Sequence, residues 1–183
     1  FVLIRDFLNQ HPYTTFYDKV NAMLGTLLYE QKDYKGALGY FSKVNEKRFG
    51  DREQSEFLFC KGYSCLQTYD YFQALAIFKD LRLRNSGRKV DATYYYAYTE
   101  YVLKNYSLAL PEFQQIENES KYKERIAYHL FQIYYALSDR AELTRRSEFI
   151  LQHYPNNPDN AEIYRIMVNW HMRIMILTKP LNT

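Results

Sequence analysis

The sequence predicts an all-α fold built from antiparallel helix pairs, and three observations indicate it. The 183 residues include only 6 Gly and 5 Pro, which favours long helices joined by short loops. Apolar residues recur at spacings of three and four, as amphipathic helices require, and alternating strand patterns are scarce. A motif also recurs about every 35 residues, which is the signature of a repeat protein.

The recurring motif is an Asp or Asn, then Tyr, then Ala three residues later, then an aromatic residue four beyond the Ala. It is found in residues 32–41, 69–78 and 104–113. The alanines are separated by 37 and 35 residues, and a weaker fourth copy has Leu at the same position after 34 more. These four residues are Ala37, Ala74, Ala109 and Leu143.

Each copy predicts where a helix begins. The Asp or Asn before the Tyr can accept hydrogen bonds from the unpaired N–H groups of a helix start. The Ala and the aromatic residue lie four apart and therefore share one helix face. The small residue lets another helix approach closely, and the ring fills the space beside it. The predicted caps are Asp33, Asp70, Asn105 and Asp139.

A further helix-length segment with apolar 3/4 spacing precedes each cap. Two antiparallel helices per copy can bury their apolar faces only by stacking on neighbouring copies. The apolar residues of the four segments are Val20, Leu24, Leu27 and Leu28; Phe57, Leu58, Cys65 and Leu66; Tyr94, Ala97, Tyr98 and Tyr101; and Ile126, Leu130, Tyr134 and Ala136.

Together these residues resemble the tetratricopeptide repeat family. The three alanines, with the Tyr before and the Phe after each, match the second helix of that repeat. Gly25 and Gly62 match the small residue at the closest crossing of the first helix, and Pro155 matches the proline that ends a repeat. The resemblance covers about Asp18 to Pro155. It implies a right-handed superhelix of helix pairs that binds another protein.

The resemblance also implies the organisation of the chain, residues 1–183, as a single array. Residues 1–12 are expected to be the second helix of a truncated preceding repeat, because DFLNQHP resembles EFILQHYP near the other end. Residues 159–178 are expected to form a C-terminal helix that caps the last apolar face or begins a further repeat. Because the chain starts at Phe1, we expect a fragment of a longer protein. The four repeats are expected at residues 18–51, 55–88, 90–123 and 124–157.

Some positions depart from the repeat pattern. Ala97 replaces Gly in the third copy, and Glu100 stands where an apolar residue is usual, which predicts a looser interface or a shifted register there. Pro111 is expected to kink the third copy's second helix or to delay its start. The fourth copy has Arg140 and Ser147 in place of Tyr and Phe, as a terminal, capping repeat allows.

The sequence predicts no catalytic, cofactor or metal site, and hence no enzyme. The four histidines have no metal-ligand spacing, and no nucleophile or phosphate-binding motif is present. Cys60 and Cys65 lie about 140° apart around one helix, so a disulfide would distort it. Both are interpreted as buried apolar residues, with metal binding as the alternative.

The charge pattern excludes some partners. The formal charge is +3 with acids and bases interspersed, too small to favour nucleic acid or anionic lipid. No stretch approaches the roughly 20 apolar residues of a membrane span. One basic stretch is interpreted as solvated surface, with docking of phosphate or an acidic partner as the alternative. It comprises Arg82, Arg84, Arg88 and Lys89.

The family resemblance implies that the first helix of each repeat lines an inner, concave groove. The inward positions would be Lys19, Ala22, Thr26 and Tyr29; Glu56, Phe59, Tyr63 and Leu66; Asp91, Tyr94, Tyr98 and Tyr101; and Arg125, Tyr128, Gln132 and Tyr135. Tyrosine offers contact area with little side-chain entropy to lose, and its hydroxyl can bond a peptide backbone. The predicted partner-binding residues are Tyr29, Phe59, Tyr63, Tyr94, Tyr98, Tyr101, Tyr128 and Tyr135.

Two qualifications belong to this groove. For Tyr101 and Tyr135, packing between repeats is an equal alternative. Some family members clamp a C-terminal carboxylate with Lys and Asn, but the corresponding positions here hold Ala22, Thr26 and Phe59. That ligand class is therefore not predicted.

The predicted function is a protein-interaction scaffold that binds a peptide or helix of a partner. FLNQHP and FILQHYPNNP resemble envelope tetratricopeptide proteins of Gram-negative bacteria, of the outer-membrane assembly and Tol–Pal-associated types. That likeness implies a periplasmic location, and a cytoplasmic one stays open. The alternative function is RNA binding, since pentatricopeptide repeats share the period, although the low charge and aromatic groove argue against it. The partner, the oligomeric state and the choice between groove and convex face stay open.

Overall fold

The computed structural model describes residues 4, 6, 10 and 14–177, the last seven by their backbone alone. Over this part of the chain the secondary structure is α-helical without strands, so the predicted all-α fold is confirmed. The helices are α1 (Tyr17–Glu30), α2 (Tyr34–Phe41), α3 (Asp51–Gln67), α4 (Tyr71–Leu81), α5 (Lys89–Val102), α6 (Tyr106–Gln115), α7 (Lys123–Ala136), α8 (Arg140–His153) and α9 (Asn160–Leu177), with a short 3₁₀ helix at Glu46–Arg48.

The chain consists of two compact units, and the boundary between them lies inside α6. Unit 1 ends at Glu112, and unit 2 begins at Phe113. In unit 1, α1 packs on α2 and α3 on α4, and the first helices of successive pairs, α1, α3 and α5, also contact one another. In unit 2, α7 packs on α8 and α8 on α9. We number the pairs α1–α2, α3–α4, α5–α6 and α7–α8 as repeats 1 to 4. The helix predicted over residues 1–12 lies mostly outside the described residues.

The turn between the two helices of a repeat has one backbone geometry in all four copies. The residue before the cap has a positive φ of 59° to 64°, although none of the four is glycine. The cap's own N–H then donates to a carbonyl five residues back, as Asp33 N does to Leu28 O at 2.9 Å. This Schellman arrangement pairs carbonyls that a helix end leaves open. The positive-φ residues are Lys32, Tyr69, Lys104 and Ser138.

Three of the four predicted caps are confirmed. Asp33 accepts a hydrogen bond from Gly36 N at 2.9 Å, and Asp70 accepts one from Gln73 N at 3.2 Å. Asp139 accepts one in the same way, from the backbone N–H of the residue three positions later. In each of these three turns, the backbone N–H of the Asp therefore bonds the end of one helix, and its side chain caps the start of the next.

Asn105, the fourth predicted cap, instead explains the buried acid of repeat 3. Its Nδ2 donates to Glu100 Oε2 at 2.8 Å, and Glu100 is only 5% exposed. The pKa of Tyr96 is raised, mainly by burial and secondly by a hydrogen bond to Glu100. The carboxylate thus has two partners at an apolar position. Because Lys104 adopts the same φ as Lys32, the turn of repeat 3 keeps the register of the other repeats, and the looser interface expected there stays a prediction.

Pro111 does not delay the third repeat's second helix. α6 begins at Tyr106, directly after its turn, as α2 begins at Tyr34 and α4 at Tyr71. Pro111 lies on an exposed position inside the helix. Its missing N–H leaves the Ser107 carbonyl without its helical donor, which an exposed carbonyl tolerates because water replaces the bond.

A small residue and a ring meet where the helices of a repeat cross. A Cβ added to Gly25 would lie 2.4 Å from Phe41 Cε1, and one added to Gly62 would lie 3.1 Å from Phe78 Cζ. Phe41 and Phe78 are fully buried, as are the motif alanines. The predicted position of Gly25 and Gly62 at the closest crossing is therefore confirmed in repeats 1 and 2, and the group that each glycine meets is the motif Phe of the second helix.

Repeat 4 has the two sizes exchanged. Phe131 precedes Ser147 by 16 residues, the same interval that separates Gly25 from Phe41. Phe131 is 1% exposed and Ser147 is 3% exposed. The large side chain therefore belongs to the first helix and the small one to the second, and we expect the total volume at the crossing to be nearly constant.

Candidate peptide-binding groove

The candidate groove runs between α1 and α3 in unit 1. Lys19 Nζ lies 3.7 Å from Glu53 Oε1, and the ring centroids of Tyr29 and Tyr63 are 5.8 Å apart. Both pairs join residues 34 positions apart. The two helices therefore lie side by side and run in the same direction, as first helices of stacked repeats must.

A cavity of about 470 Å³ lies between these helices. All four inward positions predicted for repeat 1 line it. Its volume falls in the usual range of ligand pockets, about 300 to 1,000 Å³. Apolar groups form most of its surface and charged side chains surround them. The lining residues are Lys19, Ala22, Met23, Thr26, Tyr29, Glu30, Phe49, Arg52, Glu53, Glu56, Phe57, Cys60 and Arg88.

Arg88 connects the wall of this cavity to the next repeat. Its guanidinium donates to both Glu56 oxygens at 2.5 to 3.0 Å and to Asp91 Oδ2 at 2.9 Å. It also lies 4.4 Å from the centroid of the Phe59 ring. The hydrogen bond to Glu56 raises the pKa of Arg88 above its ordinary value despite partial burial. The arginine therefore fixes Glu56 in place at the cavity.

The interpretation of the basic stretch as solvated surface is wrong for its three arginines. Arg82 lies 2.9 Å from Glu112, and Arg84 bonds Asp80 and Gln54 at 2.6 Å each. Only Lys89 is exposed. Each arginine bonds a residue 30 or more positions away in a neighbouring repeat. Short-range sequence patterns do not reveal such contacts.

Beyond the cavity, aromatic rings contact one another across all three repeats of unit 1. Tyr63 is central, with its centroid 5.8 Å from Tyr29, 5.7 Å from Tyr34 and 5.1 Å from Tyr95. The contacts continue along α5 to Tyr106, the first residue of α6. We call this set the aromatic cluster: Tyr29, Tyr34, Phe59, Tyr63, Tyr94, Tyr95, Tyr98, Tyr101 and Tyr106.

Members of the aromatic cluster differ in how much surface they offer. Phe59 is 6% exposed and Tyr94 is 4% exposed, so both serve mainly as packing support. The other four predicted groove residues of unit 1 are half-buried and keep accessible ring surface. Burial raises the pKa of Tyr29 to about 12, so its hydroxyl stays neutral at physiological pH. These four residues are Tyr29, Tyr63, Tyr98 and Tyr101.

Sequence reasoning missed Tyr34, Tyr95 and Tyr106 as members of the cluster. Tyr34 is the tyrosine of the repeat motif itself, and its position after the turn was the available signal. Tyr95 stacks on Phe78 at 5.6 Å, and burial raises its pKa. Nothing in the local spacing separates Tyr95 from its neighbour Tyr94, because the face between two repeats depends on how they stack.

The two predicted groove residues of unit 2 lie in different surroundings. Tyr128 is 8% exposed and donates its hydroxyl proton to Asn160 Oδ1 on α9. Burial raises the pKa of Tyr128 to about 12. Tyr135 is 37% exposed, and its ring centroid lies 6.2 Å from that of Trp170. Asn160 in turn donates to Tyr154 O at 2.8 Å, so Tyr128 helps to hold the start of α9.

The chemically reactive side chains are buried. Cys60 and Cys65 are reduced and buried, as predicted, and burial raises the pKa of both thiols to about 11. Burial lowers the pKa of His129 to about 4, and its ring stacks on Phe113 at 5.1 Å. Among the described residues, no group of three His, Cys, Asp or Glu could hold a metal ion. In the same part of the chain, no helix is both long and apolar enough for a membrane crossing.

Comparison with known proteins supports the fold. No protein-family model matches the sequence, and no curated protein matches it. A structure solved for the functional characterization of Pseudomonas aeruginosa PilF is similar, with a TM-score of 0.66 and 18% identity over 88% of this chain and 71% of that one. PilF contains tetratricopeptide repeats. At this identity the likeness shows the fold alone: helix pairs of the tetratricopeptide type.

Proposed function

We propose that this chain is a protein–protein interaction scaffold and that unit 1 binds a segment of a partner protein. The observation that carries the proposal is the apolar cavity between α1 and α3, which Tyr29 connects to the half-buried rings of the aromatic cluster. Concave, mostly apolar cavities with a few polar groups around them are the usual places where ligands bind.

The chemistry of the groove favours a polypeptide. Half-buried tyrosines are rigid, have broad faces and carry hydroxyls that can bond a peptide backbone. The cavity is lined by three basic and three acidic residues, so it has no positive excess. RNA binding depends on such an excess, because phosphates supply most of the affinity. The groove therefore suits a protein segment better than RNA.

Selection from a random-peptide display library on the folded chain tests this proposal. Ala22→Trp should fill the cavity, and Tyr29→Ala should remove one wall of it. Phe72→Ala is the control, since Phe72 is 82% exposed on α4 and does not line the cavity. Circular dichroism should confirm that each variant keeps its helices.

We expect peptides selected on the wild type to bind the Phe72 variant unchanged. Ala22→Trp and Tyr29→Ala should each weaken binding at least tenfold. Unchanged binding to both cavity variants would contradict the proposal. Peptides that compete with a short single-stranded RNA for the same surface would revive the RNA alternative.

The cell-envelope location is a finer proposal, supported by the resemblance of FILQHYPNNP to envelope tetratricopeptide proteins. In the structure this segment is the end of α8 and the turn before α9. Fractionation of cells that produce the full-length protein with an epitope tag would test it. Recovery in the cytoplasmic fraction alone would contradict it.

A further inference from the structure

Helix α9 lies beside α7 as α3 lies beside α1. Asn160 of α9 accepts the hydroxyl proton of Tyr128, 32 positions earlier in α7. Further along the same two helices, the ring centroids of Tyr135 and Trp170, 35 positions apart, are 6.2 Å from each other. Both contacts join residues in the same order along the chain, so α7 and α9 run in the same direction. Helix α9 therefore has the position of a first helix, where a fifth repeat would begin.

One side of α9 is exposed, although the same side of each earlier first helix is buried. An interval of 37 residues aligns α9 with α7, because it places the buried Ile163 on the buried Ile126. At this interval Val168, which is 57% exposed, aligns with Phe131, which is 1% exposed. Tyr164, four residues before Val168 on the same side, is 58% exposed, and we call these two residues the tail face. The buried residues at its two positions in repeats 1 to 4 are Asn21, Leu58, Thr93 and Ala127, and Gly25, Gly62, Ala97 and Phe131.

In repeats 1 and 2, the side that corresponds to the tail face is covered by the second helix of the same repeat. A Cβ added to Gly25 would meet the ring of Phe41, and one added to Gly62 would meet the ring of Phe78. Both rings belong to second helices, α2 and α4. The surface that fits the tail face is therefore the apolar side of an α-helix, as α2 and α4 present it to α1 and α3.

Helix α1 has the complementary exposed side, on which a preceding repeat would pack. Met23 is 71% exposed and Leu27 is 40% exposed, and we call these two residues the head face. Their counterparts 37 positions later in α3, Cys60 and Ser64, are 8% and 0% exposed, because repeat 1 packs on that helix. A cavity of about 660 Å³ lies over the head face, and among the described residues its lining comes from α1 and from Ile4.

We propose that copies of this chain associate head to tail, with the N-terminal segment of one copy bound between its own head face and the tail face of the next copy. Residues 6–12 resemble residues 148–155, and in this match Leu8 corresponds to the fully buried Ile150 of the second helix α8. The segment therefore has the sequence of a second helix, the element that fits the tail face. Ile4 already lies at the head face of its own copy. Second helices pack in this way between two first helices, as α4 does between α3 and α5.

This contact joins two different surfaces of the chain. Each pair of copies therefore keeps one unused head face and one unused tail face, and further copies can add unless the assembly closes into a ring. The inference is independent of the proposed peptide binding, because Tyr164, Val168 and Leu27 do not line the groove cavity.

Sedimentation velocity of the whole chain tests the head-to-tail contact. The wild type should sediment faster as its concentration rises. Val168→Glu in the tail face and Leu27→Glu in the head face should each weaken self-association about tenfold or more, because each would bury an unpaired charge. An equal mixture of the two variants should form dimers that do not grow, since the first variant keeps its head face and the second its tail face. Phe72→Glu is the matched control, because Phe72 is 82% exposed on α4, and it should associate like the wild type.

Four results would overturn the inference. The first is a wild type that stays monomeric at every concentration, and the second is a mixture of the two variants that stays monomeric. The third is a dimer that Val168→Glu abolishes and Leu27→Glu leaves intact, which would identify a symmetric contact between two α9 helices. The fourth is association that Leu8→Glu leaves unchanged, which would show that a different helix covers the tail face. If circular dichroism shows that a variant has lost helix, Tyr164→Glu replaces Val168→Glu and Met23→Glu replaces Leu27→Glu.

Discussion

Repeats 2 and 4 carry their large buried residue on opposite helices. In repeat 2, the ring of Phe78 from the second helix lies against Gly62 of the first. In repeat 4, the first helix carries the large Phe131 and the second the small Ser147, both buried. Yet the turn is the same: Tyr69 and Ser138 both adopt positive φ and precede a capping Asp. The turn is thus the same in both repeats, although the large buried residue stands on different helices.

The two units also use their tyrosines differently. In unit 1, Tyr29, Tyr63 and Tyr98 keep exposed ring surface within a continuous aromatic cluster. In unit 2, Tyr134 accepts a hydrogen bond from Gln114 Nε2 at 3.0 Å, and Tyr128 bonds Asn160. Both are buried. Of the predicted groove tyrosines, four in unit 1 and Tyr135 in unit 2 therefore keep surface that a partner could contact.

The largest expected effects come from removing the ring in each repeat. Phe78→Ala and Phe131→Ala should each lower the free energy of unfolding by about 3 to 5 kcal/mol, because each leaves a cavity in a closed core. Ser147→Ala should lower it by about 1 kcal/mol, through the lost hydrogen bond to Thr144 O. Urea denaturation measures all three.

A double-mutant cycle sharpens this comparison. Ser147→Phe should overpack the wild type but recover stability in a Phe131→Gly background, where it restores the arrangement of repeat 2. Equal loss in both backgrounds would show that the two side chains do not share one space.

The buried His129 should make the free energy of unfolding of unit 2 depend on pH. Burial lowers the pKa of His129 to about 4 from 6.5, so the unfolded chain binds more protons between these values. Stability from this residue is therefore present above about pH 6.5 and lost as pH falls towards 4, by up to about 3 kcal/mol. His129→Phe should remove that component from the pH dependence of urea unfolding. An NMR titration that finds an ordinary pKa for His129 would contradict the account.

Replacing two glycines of repeat 1 by alanine should change the free energy of unfolding in opposite directions. Gly25→Ala should lower the free energy of unfolding by about 1 to 3 kcal/mol, since the new methyl group meets the buried Phe41 ring. Gly39→Ala, where an added Cβ has no neighbour within 4 Å, should raise it by about 0.5 to 1 kcal/mol. Thermal melting curves that shift in the same direction for both variants would refute this packing argument.

The smallest expected effect tests whether the turn is equivalent in the two units. Tyr69→Gly and Ser138→Gly should each raise the free energy of unfolding by about 0.5 to 1 kcal/mol, because glycine adopts positive φ without strain. Thr68→Gly, one residue earlier with a φ of −97°, should lower it by a similar amount. A gain at Tyr69 without one at Ser138 would show that the turns differ energetically.

Much of the fold could be predicted because its signals are local and repeat. The Asp caps, the alanines and the rings four residues beyond them recur in register, and the structure places them as expected. The partner of Glu100 could not be predicted, because the donor Asn105 was assigned to a cap. The exchanged sizes in repeat 4 can be seen in the sequence, because Phe131 aligns with Gly62. The structure adds that Phe131 and Ser147 are both buried.

Less of the candidate site could be predicted. Helical spacing identifies which face a residue occupies, but the depth of burial depends on how the next repeat stacks. Phe59 and Tyr94 are on the expected face and yet are nearly covered by neighbouring rings and by Arg88. Arg88 itself pairs with Glu56, 32 residues away. No pattern within one helix reveals such a contact.

The central claim is that a partner segment binds between α1 and α3, and an NMR titration tests it most directly. Protein with ¹³C-labelled alanine methyl groups should be titrated with a display-selected peptide. Ala22 lines the cavity, whereas Ala141 is exposed on α8 in unit 2. We expect the Ala22 methyl resonance to shift saturably and that of Ala141 to stay in place. A saturable shift at Ala141 with no change at Ala22 would contradict the account.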